Sequence, residues 1–251
     1  MGNGKSKGSD RRDRLARLER ERKAAERKRT LLFAGIIGVI AAVIIGATGW
    51  SLWQESEQNA AIADRNLDEF GVPAAEASCS EPQETEASGN NEHIAEGDID
   101  YGQAPPASGP HRPSWVQLAR EFYTAEDRPE LEMLVHNLEH GYTILWYDET
   151  FAKDEQAVDE LKGLAQKFSG DASLDTAFIA APWTSEDVED EGKFPQGKHV
   201  ALTRWYADPE TREDQKGITQ YCGQLSGEVV EQFMEDYPQE AAPEGGVVGN
   251  L

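Results

Sequence analysis

The chain has 251 residues, 38% of them hydrophobic, and a formal net charge of −23 at pH 7. Residues 1–29 carry twelve Lys/Arg against five Asp/Glu, and the remainder carries twelve against forty-two. A body this acidic repels phosphate backbones, which argues against nucleic acid as its partner. A basic arm on an acidic chain marks a separate anchor or address.

Leu31 to Trp53 is the one long apolar stretch, and no charge interrupts it. As a helix it would span roughly 34 Å, enough to cross a hydrocarbon core of about 30 Å. A cleaved signal peptide would have a shorter apolar core and a small-residue cleavage site. The spacing therefore predicts a single uncleaved membrane span with Trp50 and Trp53 at one interface. The Lys/Arg cluster before it predicts a cytoplasmic N-terminus and an extracytoplasmic C-terminal body. The expected layout is a basic cytoplasmic arm over 1–30, the span over 31–53, a stalk and acidic linker over 54–92, a folded domain over 93–238, and a disordered tail over 239–251. The linker composition, rich in Ala, Glu, Ser, Gly and Asn, is unsuited to building a core.

Two cysteines are present, Cys79 and Cys222. An even count in an oxidising compartment permits a disulfide, which would close a loop of well over a hundred residues.

Within the folded domain, Asp98 to Tyr101 reads as a short strand, and Ser114 to Tyr123 reads as a short helix after a Pro/Gly turn. Asp127-Arg128-Pro129-Glu130 has the form of a helix start. Leu131, Leu134, Val135 and Leu138 then share one helical face, and Gly141 is a natural stop. Thr143 to Tyr147 reads as a buried strand. Asp154 to Ser169 reads as a helix, Thr176 to Ala181 as a strand, 183–198 as an acidic loop, and His199 to Tyr206 as a strand. Ser226 caps a helix through Tyr237. The pattern predicts an α+β domain, a small mixed sheet with flanking helices, preceded by the N-terminal transmembrane helix.

The residues with chemistry are histidines. His136 and His140 are i and i+4 neighbours away from the apolar face, so they are expected to converge on one metal ion. His111, held in a Pro/Gly turn, is the natural third ligand. Met133, Glu139 and His93 are further candidates, with His199 weaker. A His-rich set with Met133 suits copper or zinc better than magnesium or calcium. Sharing one ion requires the three imidazoles to lie well within about 10 Å of one another. Two other readings compete. Histidines beside Gly and Pro are often structural, which would make this a non-catalytic cell-envelope interaction domain. His136-Asn137-Leu138-Glu139-His140 also matches the short H-x-x-E-H pattern, in which Glu139 would activate water in a zinc hydrolase. No nucleophile elbow, P-loop or dinucleotide fingerprint is present.

Three stretches together are distinctive: Pro105-Pro106-Ala107-Ser108-Gly109-Pro110-His111, then Val135-His136-Asn137-Leu138-Glu139-His140-Gly141-Tyr142, then Trp146-Tyr147. With Ala201-Leu202-Thr203-Arg204-Trp205 and Cys222, the chain resembles a bacterial, mainly actinobacterial, membrane-anchored family catalogued as domain of unknown function 3105. The similarity runs from about Cys79 to Pro243, with Ala107 where the family more often has Thr. The resemblance implies domain limits and topology, and it brings no catalytic residue with it.

Overall fold

A computed structural model divides the chain into two compact units, Met1–Gln58 and Asn59–Leu251. Residues 6–87, 92–116, 120–170 and 177–245 are described.

The apolar stretch lies within one helix, α1, Ser6–Asp64. Its large apolar side chains face outward; Leu31 and Ile45 are each 71% exposed. The helix is a candidate membrane span by length and composition. Thr48 donates its hydroxyl to the Ile44 carbonyl at 2.8 Å, which satisfies the group inside the helix.

The second unit is built on a five-stranded sheet. Its strands are β1 (Gln83–Glu86), β2 (Thr143–Tyr147), β3 (Phe178–Pro182), β4 (Val200–Tyr206) and β5 (Lys216–Cys222). The spatial order is β1-β5-β4-β2-β3. β2 and β3 are parallel, and the other pairings among these five strands are antiparallel. Helix α2 (Leu131–Glu139) precedes β2, α3 (Glu155–Gly170) links β2 to β3, α4 (Ser185–Asp190) follows β3, and α5 (Gly227–Asp236) follows β5.

Alternation along the strands divides the core between two faces. Leu145, Tyr147, Val200, Leu202 and Ile218 pack with Leu161, Leu164 and Phe168 of α3 and Val230 and Phe233 of α5. Ile144, Trp146, Ala201 and Trp205 pack with Leu134, Val135 and Leu138 of α2. Both faces of β2 and β3 are therefore covered, which is why these strands read as unbroken apolar runs.

The structure departs from the expected elements where polar backbone partners are supplied from elsewhere. No ladder forms at 98–101; instead the Tyr101 and Gly102 amides donate to the Glu191 carboxylate. No helix forms in the described part of 114–123; residues 117–119 lie outside it. Asn137 bonds both the N–H and the C=O of Val116, and Phe122 bridges to Ala180 on β3. α2 begins at Leu131 rather than at Asp127, whose carboxylate instead accepts from the Thr124 N–H and hydroxyl. The acidic loop contains α4, capped reciprocally by Thr184 and Asp187.

The stretch read as stalk and linker belongs in part to the fold. Leu67, Phe70 and Ala77 are buried. β1 pairs with β5, with Glu84 bound to Lys216 at 2.9 Å. Cys79 and Cys222 form a disulfide across a separation of 143 residues. The expected tail also packs as far as it is described: Ala241 and Ala242 are buried, and Ala207 donates its N–H to the Ala241 carbonyl at 3.0 Å.

Candidate metal centre

Two backbone devices bring the Pro/Gly loop onto the α2 side of the sheet. The Tyr221 hydroxyl donates to the Ala104 carbonyl at 2.8 Å, and the Tyr101 hydroxyl donates to the Pro110 carbonyl at 2.9 Å. Gly109 must be glycine: its φ is +145°, and a Cβ there would lie 2.9 Å from the Tyr101 ring. The loop ends on His111, fully buried with its ring 5.9 Å from that of Trp205. His93 is joined to His111 by a parallel bridge, with Ile94 N–H donating to the His111 carbonyl at 2.8 Å. Arg112 pins this bridge to the start of α2. Its guanidinium donates to the Gly97 carbonyl at 2.9 Å and to Glu132 at 2.9 Å.

His93, His111, His136 and Glu139 form a cluster that could hold a metal ion, with one ligand atom from each lying within 4.8 Å of all the others. The His111 and His136 ring centroids are 4.5 Å apart, and His93 is 4.8 Å from the first and 5.0 Å from the second. His111 donates from Nδ1 to the Gly109 carbonyl at 2.9 Å, and His136 donates from Nδ1 to the Arg112 carbonyl at 2.7 Å. A carbonyl accepts only, so each bond fixes a proton on Nδ1, and in the neutral ring Nε2 then keeps its lone pair. This is the support that metal-binding histidines receive from the groups behind them. Both Nε2 atoms face Glu139 Oε2, at 3.0 Å from His111 and 4.0 Å from His136. Two donors on one ion lie at most about 4.2 Å apart, twice a bond of about 2.1 Å. Both distances fall under that limit, and the widest pair of the four, at up to 4.8 Å, would close by about 0.6 Å to share one ion.

Helix α2 contributes His136 and Glu139, an i, i+3 pair. His140 occupies the C-cap, and its ring lies nearly parallel to that of His136 at 4.8 Å. His140 Nδ1 faces Glu244 Oε2 at 3.6 Å, and the ring also packs on Trp115 at 4.7 Å. Met133 is half-buried one turn before His136. His199 is paired with Asp148 instead. Burial pushes the His136 imidazole down from 6.5 to about 4, with the hydrogen bond to Arg112 opposing. Burial also lowers His140, with the Glu244 charge opposing. Neutral imidazole is the form that ligates metal. The supporting roles of Arg112 and Asn137 were not read from sequence, although each sits beside a candidate histidine.

Fold and site together define a disulfide-linked mixed α/β domain carrying a His₃Glu cluster, with a candidate membrane helix at the N-terminus. Residues 93–249 match the family described as "Protein of unknown function (DUF3105)", and the chain belongs to that family. No curated protein and no solved structure matches it.

Proposed function

We propose that this domain binds a divalent transition-metal ion, zinc or copper, through His93, His111, His136 and Glu139. One observation carries the reading. His111 Nε2 and Glu139 Oε2 face each other at 3.0 Å, and neither side chain is exposed. As a neutral ring with its proton on Nδ1, His111 presents an acceptor to a carboxylate, and two acceptors at that distance call for a cation or a proton between them. Three imidazoles and one carboxylate suit zinc or copper and not magnesium or calcium. Four protein donors complete a tetrahedral zinc site, whereas hydrolytic zinc leaves one position to water. The position of Glu139 among the donors also favours a ligand over a water-activating base. That places metal holding or transfer ahead of hydrolysis.

We further propose that the chain crosses the membrane once at 31–53, with the basic arm in the cytoplasm and the domain outside. Lys/Arg immediately before the span supports this orientation, and the Cys79–Cys222 disulfide is of the kind that persists in oxidising compartments. The rival is an envelope interaction domain whose histidines only brace the fold. The test uses the full-length protein in detergent, stripped by chelator and titrated with zinc and with copper(II). The wild type should take up a single ion. Loss of even a supporting group behind a metal ligand costs roughly ten- to a hundredfold, so His111→Ala should bind at least about a hundredfold more weakly. Equal uptake by both proteins, or uptake by neither, favours the bracing role.

A further inference from the structure

A second cluster lies apart from the four candidate ligands. His199, just before β4, donates from Nδ1 to Asp148 Oδ2 at 2.8 Å, and Asp148 follows β2 directly. Their backbones are also joined, Asp148 N–H to the His199 carbonyl at 3.0 Å. The carboxylate accepts from Nδ1 and fixes the orientation of the ring. His199 lines a cavity of about 420 Å³, within the range of about 300–1,000 Å³ typical of small-molecule sites.

The position of this cavity follows from the topology. It lies beyond the carboxyl end of β2, where the chain turns into α3 towards β3 while the sheet continues on the other side with β4. β4 runs antiparallel to β2, so His199, just before β4, meets Thr150 and Phe151, just after β2, at this end of the sheet. One wall is the segment around Gly71 and Val72. Val72 N–H donates to the Leu225 carbonyl at 2.9 Å, and a Cβ on Gly71 would lie 2.2 Å from that oxygen. The wall is therefore preformed.

The lining indicates the class of ligand. Phe151 and Leu225 supply apolar surface; Glu69, Asp154 and Glu160 supply carboxylates; and no lining residue is Lys or Arg. Glu160 is partly offset by Arg65 at 2.7 Å. The start of α3 is closed to anions, because Asp154 Oδ1 already accepts from the Gln156 and Ala157 amides, both at 3.1 Å. We propose that this cavity binds a small organic cation, an ammonium group on a partly apolar body. The lining carboxylates accept from the ammonium, and the body rests on Phe151 and Leu225. This site is independent of the metal reading.

The test follows the imidazole Cε1–H signal of His199 by NMR in the full-length protein in detergent, assigned with His199→Gln. The probes are benzylamine, benzyl alcohol, benzoate and calcium. Benzylamine should shift the signal saturably, and benzyl alcohol and benzoate should bind roughly tenfold or more weakly. Asp154→Asn retains a good helix cap; it should weaken benzylamine by roughly tenfold and leave benzyl alcohol unchanged. Equal binding of the alcohol and the amine, saturation by calcium alone, or no saturable shift with benzylamine would overturn the proposal.

Discussion

The depressed imidazole of His136 ties stability to pH in a way that can be isolated. In the unfolded chain this group titrates near 6.5, and in the folded, metal-free protein near 4, because burial disfavours the charged ring. Between those values the unfolded state holds a proton that the folded state lacks, so stability falls as pH falls through the window. The contribution is complete above pH 6.5 and fully lost by about pH 4. At about 1.36 kcal/mol per pH unit, a gap of this size amounts to about 3 kcal/mol. The assay is urea unfolding of the chelator-treated full chain from pH 7.5 to 4, beside His136→Asn, whose amide retains a donor for the Arg112 carbonyl. The stability difference between wild type and variant should shrink by about 3 kcal/mol across the window. A difference that stays constant with pH would refute the reasoning about burial of this ring.

Three further outcomes follow from single contacts. Replacing Cys79 and Cys222 together by Ser opens a link across 143 residues, and urea unfolding should show a loss of about 5 kcal/mol by loop-closure entropy. Gly141→Ala places a Cβ at φ +85°, 2.5 Å from the Gln239 carbonyl oxygen; conformation and clash together should cost about 2–4 kcal/mol, read as a lower urea midpoint. His140→Ala should retain zinc within about a few-fold by competition titration, because this ring is turned to Glu244 and Trp115, whereas loss of His136 should abolish tight binding.

What could be read from the sequence was what local periodicity determines. Helices α3 and α5 and strand β2 carry their own patterns, with Asp154 and Ser226 at the caps. β1 carried no pattern: Gln-Glu-Thr-Glu is wholly exposed, as an edge strand guarded by charge must be, and only its pairing with β5 makes it a strand. α4 did leave a signal, the Thr184/Asp187 capping box, hidden by the acidity around it. At the site, His111 and His136 stood out because a turn and a helix present them. The i, i+4 rule pointed to His140, yet its place at the C-cap lays the ring flat on His136 and turns Nδ1 to Glu244. Glu139 follows from the i, i+3 spacing on α2, whereas His93 joins the cluster through tertiary contacts, the His93–His111 bridge and the Arg112 clamp, which no spacing along the chain encodes.

The most direct measurement is X-ray absorption at the zinc edge of the full-length protein loaded with zinc. The account predicts a first shell of three imidazole nitrogens and one carboxylate oxygen at about 2.0–2.1 Å, with one imidazole lost in His93→Ala. A spectrum of hydrated, weakly held zinc, or a shell unchanged by removing His93, His111 or His136, would contradict it.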